Sequence, residues 1–195
     1  HSSFFENKTM VHKIVNSLFT SVTLRTAGFT SIPIESCHPA SIFIMIICMF
    51  IGGSPGGTAG GIKTTTLAVI ILCVICSLKG KRNTNVFYRH ISRDIIVQAT
   101  TIFTLNLCTL FVGVFLLLCF EPFDFMTLLF ECTSALATVG LSMGITSLLS
   151  PIGKLILIIL MFIGRIGIIT FVMSIVHENK EKDCIQYANG KIIIG

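Results

Sequence analysis

Ala137-Thr138-Val139-Gly140-Leu141-Ser142 has a counterpart 112 residues upstream, Arg25-Thr26-Ala27-Gly28-Phe29-Thr30, and this pair decides how the chain folds. The same offset relates Pro39 to Pro151 and Met49-Phe50-Ile51-Gly52 to Met161-Phe162-Ile163-Gly164. A gap-free match between two apolar stretches means one supersecondary unit used twice, and internal repeats of this kind are common in membrane transport proteins. Each unit reads as an apolar span, a short half-buried helix, a glycine-centred loop, and a second span that begins near a proline. The short helices are expected over Met10 to Leu24 and Phe125 to Leu136.

Composition sets the environment. Hydrophobic residues make up 53% of the 195-residue chain and charged residues only 12%, against about 25% charged in soluble domains. Ile95 to Phe120 carries no charge and exceeds the roughly 20 apolar residues that cross a bilayer core. A second stretch, Ile152 to Val176, contains Arg165. A third, Ala40 to Phe50, is too short to cross alone; it breaks at a glycine cluster and resumes at Thr64 to Leu78. The expected fold class is an all-α membrane protein of repeated helix–pore loop–helix units with one broken helix.

The net charge is +5, and Lys79, Lys81, Arg82, Arg89 and Arg93 fall in one connector between spans. The positive-inside rule makes that connector cytoplasmic, and a basic loop bracketed by membrane segments gives no reason to invoke nucleic acid. Most of the eight cysteines lie in apolar runs, where free cysteine behaves as a small hydrophobe. The pair Cys73 and Cys76 has no nearby His or Cys that would make a metal or redox site. Asn7-Lys8-Thr9 fits the short glycosylation sequon. The chain has no initiator Met, and Phe120 maps onto residue 8 by the repeat offset, so the first span of the first unit is expected upstream of His1. The expected organisation is a pore repeat lacking its first helix over 1–78, a basic linker over 79–93, a full repeat over 94–177 and a cytoplasmic tail over 178–195.

The two loops have the composition that cation dehydration requires. An ion leaving water needs replacement oxygens, which backbone carbonyls of converging loops supply. Glycine reaches positive φ readily and lets successive carbonyls turn toward one axis. Thr26, Ala27, Gly28 and Phe29 form one candidate filter loop, and Thr138, Val139, Gly140 and Leu141 the other. Non-helical backbone at membrane depth is tolerated only where protein buries it or it lines a water-filled cavity.

The stretches TLRTAGFTS (23–31), GGSPGGTAGGIKTTT (52–66), ATVGLSMGIT (137–146) and GRIGIITF (164–171) resemble the third and fourth pore repeats of the Trk/Ktr/HKT superfamily of potassium transporters, Ktr and Trk membrane subunits in particular. The resemblance implies half of a four-repeat pore in a bacterial inner membrane. It also implies potassium at the carbonyls of Thr26, Ala27, Gly28, Thr138, Val139 and Gly140, and possible coupling to sodium or protons. Partners implied are the other two repeats, a second copy of the full-length subunit, and a cytosolic nucleotide-binding regulatory subunit touching 79–93 or the tail after His177. The first filter loop, which in some sodium-selective members carries serine in place of glycine, is not in this chain. A non-conducting membrane scaffold derived from half a pore is the alternative.

Gly52, Gly53, Ser54, Pro55, Gly56, Gly57, Thr58, Ala59, Gly60 and Gly61 follow in succession, and penalties near 1 kcal/mol per glycine and 3 for proline exclude a continuous helix. In the resembled family the loop at this point is an intramembrane gate. The Gly-rich run followed by Lys63-Thr64 misses the phosphate-loop spacing, because Ile62 separates Gly61 from Lys63. Lys63 is expected to snorkel to the cytoplasmic side. Arg165 sits about 18 Å from either end of its expected span. It is read either as a positive barrier in the pathway near the glycine loop or as a structural arginine joining helix ends. Glu121, Asp124 and Glu131 could gather cations at the mouth of the second loop, while Asp124 could simply cap the short helix.

Overall fold

The computed structural model describes residues 9–56, 59–80, 85–86, 89–168 and 170. Asn7 of the sequon, Gly57 and Thr58 of the glycine run, Lys81 and Arg82 of the connector, Cys184 and the tail after His177 lie outside the described residues. Among the described residues six α-helices run in order: α1 (Met10–Thr23), α2 (Pro39–Phe50), α3 (Thr64–Leu78), α4 (Arg93–Phe120), α5 (Phe125–Leu136) and α6 (Pro151–Ile166). The all-α expectation needs one amendment, a two-residue antiparallel hairpin in the basic connector, β1 (Asn85–Val86) against β2 (Arg89–His90). Helix α4 has 28 residues and is, among the described residues, the helix long and apolar enough to cross a membrane. The run from Pro39 to Leu78 is divided into α2 and α3 at the glycines, as the penalty for glycine and proline in a helix demands.

Repeat symmetry is visible in the caps. Pro39 and Pro151 each occupy the first helical turn, where the missing N–H is no loss. The residue before each proline accepts an amide of the first turn: His38 Nδ1 from Ala40 N at 3.2 Å, two residues on, and Ser150 Oγ from Gly153 N at 3.1 Å, three residues on. The side chains differ, but imidazole nitrogen and hydroxyl oxygen both satisfy an orphan donor.

Within the expected stretch Ile152 to Val176, helix α6 ends at Ile166 and Gly167 follows at φ 93°, a conformation that only glycine adopts without strain; helical backbone recurs at Ile168 and Thr170. Arg165 is in the last turn of α6, where a cation meets the partial negative charge of the carbonyl end. The stretch also holds Lys154, whose Nζ donates to Ser147 O at 3.2 Å near the helix start.

Two cores organise the packing. Leu110, Val114 and Leu117 of α4, Leu128, Cys132 and Leu136 of α5, and Leu157, Leu160 and Ile163 of α6 form the core of the second unit. Met45, Ile46 and Met49 of α2 pack on Phe130, Ala137, Val139 and Leu141, which joins the two units. Helix α5 is buried on almost every side, from Phe130 through Leu136 without interruption. Its counterpart α1 buries only Thr23, with Met10, Val11, Ile14 and Leu18 exposed. The difference follows from partners: α4 and α6 enclose α5, and no described helix takes the place of α4 beside α1. The seven described cysteines are free, and no metal-holding cluster of His, Cys, Asp or Glu occurs among the described residues.

Close helix approach rests on glycine. A Cβ on Gly164 would overlap the carbonyl oxygen of Leu136, while one on Gly113 would stand 2.8 Å from Leu160 Cδ1. A backbone oxygen cannot step aside, whereas a leucine methyl can rotate. Gly164→Ala is expected to lower the stability of the full-length protein by about 3 kcal/mol and Gly113→Ala by about 1, the range for overpacking, read as thermal unfolding midpoints in detergent; equal shifts would contradict this packing.

Candidate functional site

Each short helix ends in a turn of unusual backbone. Thr138 sits at φ 53° and Thr26 at φ 68°, left-handed positions that a β-branched residue rarely occupies. After α5 the turn closes as a Schellman motif: Thr138 N donates to Ala135 O at 3.1 Å and Val139 N to Ser134 O at 2.9 Å. After α1, Arg25 N donates to Val22 O at 3.0 Å and Ala27 N to Thr23 O at 3.1 Å. Gly28 and Gly140 then follow at φ 79° and 86°.

A hydroxyl ties back the residue after each glycine. Thr23 Oγ1 donates to Phe29 O at 2.5 Å and accepts from Phe29 N at 3.0 Å. Ser134 Oγ donates to Leu141 O at 2.5 Å. The two hydroxyls are not repeat mates, being shifted by one position, yet they make the same bond. This narrows the sequence-based candidate set: the carbonyls of Phe29 and Leu141 are committed inside the protein. The carbonyls of Thr26, Ala27, Gly28, Thr138, Val139 and Gly140 accept no hydrogen bond from any described residue. The loops also meet, because a Cβ on Gly28 would lie 2.7 Å from Val139 O and one on Gly140 would lie 3.7 Å from Gly28 Cα.

The glycine-rich segment packs against this pair. Its stem is closed by Ile62 N donating to Phe50 O at 3.1 Å, Thr64 N to Gly53 O at 3.2 Å, and a parallel bridge between Ile51 and Ile62. Gly52 must lack a side chain because Gly60 O occupies the space of its Cβ. Gly60 in turn abuts Ala137 O and the hydroxyl of Thr138, and that Thr138 hydroxyl is buried without a hydrogen-bond partner. The segment expected to break the helix thus touches the residues at the start of the second loop.

Lys63 Nζ donates to Ala59 O at 2.5 Å, closing the glycine segment on itself. Glu121 is buried and accepts from Ser150 N at 3.0 Å and Ser150 Oγ at 2.6 Å. Glu131 is 4% exposed and accepts from Ser142 Oγ at 2.5 Å and Met143 N at 3.0 Å, with Thr146 Oγ1 at 3.1 Å. These two carboxylates hold the chain that follows the second loop and the start of α6. Asp124 stands at the N-cap of α5 without a side-chain capping bond, so the capping reading is not realised.

Arg165 borders a cavity of about 620 Å³ together with Glu131, Thr138, Gly140 and Phe162. Gly164 and Gly167 on either side of it line a smaller cavity with Gly61 and Asn106. The residue that sequence reasoning missed is Arg25, whose Nη1 donates to Ile51 O at 3.0 Å and Gly52 O at 2.8 Å. Only its position immediately before Thr26 could have flagged it, since carbonyl partners 26 and 27 residues away leave no periodic trace.

A helical bundle with two glycine-centred loops and a broken helix has the fold of a multi-pass membrane transporter. The chain belongs to the TrkH family, described as cation transport protein, which matches residues 1–184. It is 42% identical over 186 residues to the Ktr system potassium uptake protein B of Bacillus subtilis, covering 95% of this chain and 41% of that protein. It is 39% identical over 194 residues to the potassium/sodium uptake protein NtpJ of Enterococcus hirae, covering 96% and 43% respectively. The crystal structure of the potassium transporter TrkH from Vibrio parahaemolyticus superposes with a TM-score of 0.74 over 87% of this chain and 38% of that one, at 19% identity, which is a likeness of fold. The chain spans about two fifths of the length of these relatives. They are transporters, not enzymes, so the phosphate-loop rival falls away.

Replacing Glu131 by Ala leaves Ser142 and Met143 without a buried acceptor and is expected to destabilise the full-length protein by about 2–3 kcal/mol. Glu131→Gln, which keeps one acceptor oxygen, should lose about half as much by the same reasoning. Thermal unfolding in detergent reads both, and a silent Glu131→Ala would show that this carboxylate does not organise the loop.

Proposed function

We propose that the chain supplies two of the loops of a potassium-selective filter and the movable loop that closes the pathway beside it, within a longer potassium uptake protein. The observation that carries this reading is the set of six uncommitted carbonyls, Thr26 to Gly28 and Thr138 to Gly140, on two loops in contact. Carbonyls in such a ring replace the hydration shell of a cation. The carbonyl ends of α1 and α5 feed into the same loops, each carrying roughly half a negative charge that favours a cation at that point. The names of the relatives, potassium uptake and potassium/sodium uptake proteins, support the substrate class.

In this reading the two units correspond to 1–78 and 94–177, joined by the basic linker 79–93 and followed by a cytoplasmic tail. Two further repeats complete the ring and cover the apolar face of α1. The stretch Gly52 to Gly61 acts as the gate, and Arg165 adds a positive barrier from the end of α6. A second copy of the full-length subunit and a cytosolic nucleotide-binding subunit complete the assembly, with sodium or proton coupling as the energetic option.

Substitution separates the two glycines. At either, a side chain is strained by about 1–2 kcal/mol through positive φ, but only at Gly28 does it also strike a carbonyl, that of Val139. Potassium and sodium flux in liposomes holding the full-length protein should lose selectivity with Gly28→Ser more than with Gly140→Ser, and Arg165→Ala should raise basal flux. No flux from folded, inserted protein with its cytosolic partner supplied would favour the scaffold reading.

A further inference from the structure

The intramembrane loop is anchored to the first filter loop by one side chain that the gating reading does not use. We propose that Arg25 is a positioning residue that ties the Thr26–Gly28 backbone to the stem of the glycine segment, so that gate and filter in this repeat shift together. The inference rests on the pore reading and adds a coupling between its two parts.

The geometry is specific. Arg25 directly precedes Thr26, the left-handed turn at φ 68°, so any displacement of its backbone is passed straight to the filter carbonyls. Its guanidinium reaches the carbonyls of Ile51 and Gly52, the first residues beyond α2. A cation is favoured at that carbonyl end, and charge-assisted bonds are stronger than neutral ones. Those two residues belong to the stem closed by Phe50 with Ile62 and Gly53 with Thr64, and Ile62 is 1% exposed. The tip differs: Gly56 has φ 91° and no atom within 4 Å of where a Cβ would stand. The stem cannot shift without moving Arg25 or breaking both bonds.

The repeat partner of Arg25 is Ala137, which meets the same segment by contact alone. A Cβ on Gly60 would lie 2.6 Å from Ala137 O, and one on Gly61 3.3 Å from Ala137 Cβ. The positions immediately before both left-handed threonines therefore grip opposite strands of one stem, one by hydrogen bonds and the other by packing. An alanine can transmit a push but no pull, which places the tensile half of the coupling on Arg25.

The test is potassium-over-sodium selectivity and basal flux of the full-length protein in liposomes, for Arg25→Gln, Arg25→Lys and Gly28→Ser, with and without deletion of the tip 54–59. Arg25→Gln is expected to raise basal flux and to reduce selectivity about tenfold, the change that losing about 1.4 kcal/mol of discrimination from two charge-assisted bonds produces. It should reduce selectivity in the tip-deleted background too, where a residue that merely held a gate shut would have no effect. Arg25→Lys, keeping the charge, should restore most of the selectivity; if Arg25→Gln does not fold, the lysine variant is read alone and must still fall measurably below wild type. Unchanged selectivity for folded Arg25 variants beside an altered Gly28→Ser would overturn the coupling and leave the filter standing. Unchanged selectivity in all three would remove the filter reading and the coupling with it.

Discussion

Irregular backbone inside a bilayer has no water to bond, so every loop at that depth must settle its N–H and C=O groups within the protein or against an ion. Most of the structure around the two loops serves that requirement. The amides at the ends of α1 and α5 turn back onto their own helices, and Thr23 and Ser134 take up the carbonyls after the glycines. Glu131 and Glu121 collect the amides and hydroxyls of the chain that returns to α6. What remains after this accounting is a short row of carbonyls in each loop that accept no backbone hydrogen bond among the described residues.

The repeat is preserved where backbone conformation matters and relaxed where side chains can substitute for one another. Both threonines keep positive φ and both glycines follow two residues later. The hydroxyl that secures the next carbonyl moves by one position, and the cap before the second helix changes from His38 to Ser150. The glycine-rich break has no equal in the second unit, where a single Gly167 ends α6. The second unit is the more enclosed of the two, with α5 buried among α2, α4 and α6.

Much of this could be read in advance. The offset of 112 residues located both loops and both prolines, and the density of glycine required a helix break between Phe50 and Thr64. Periodicity and composition do not report which way a charged side chain turns. That Lys63 bonds Ala59 O, and that the glutamates brace the chain after the second loop, appears only in three dimensions. Hydropathy over Ile152 to Val176 gave no sign of the interruption at Gly167, because glycine adds little polarity while its positive φ breaks the regular helix.

The sequence alone determined that this is an α-helical membrane protein with a duplicated helix–loop–helix unit and one interrupted helix, since those follow from apolar run length, glycine and proline chemistry, and a constant offset. Only the tertiary structure decided which groups meet. Gly28 faces Val139 O, Gly60 lies on Ala137, and Arg25 reaches Ile51 and Gly52. Each pairs residues from different elements, and such convergence depends on how helices cross and not on any local pattern along the chain.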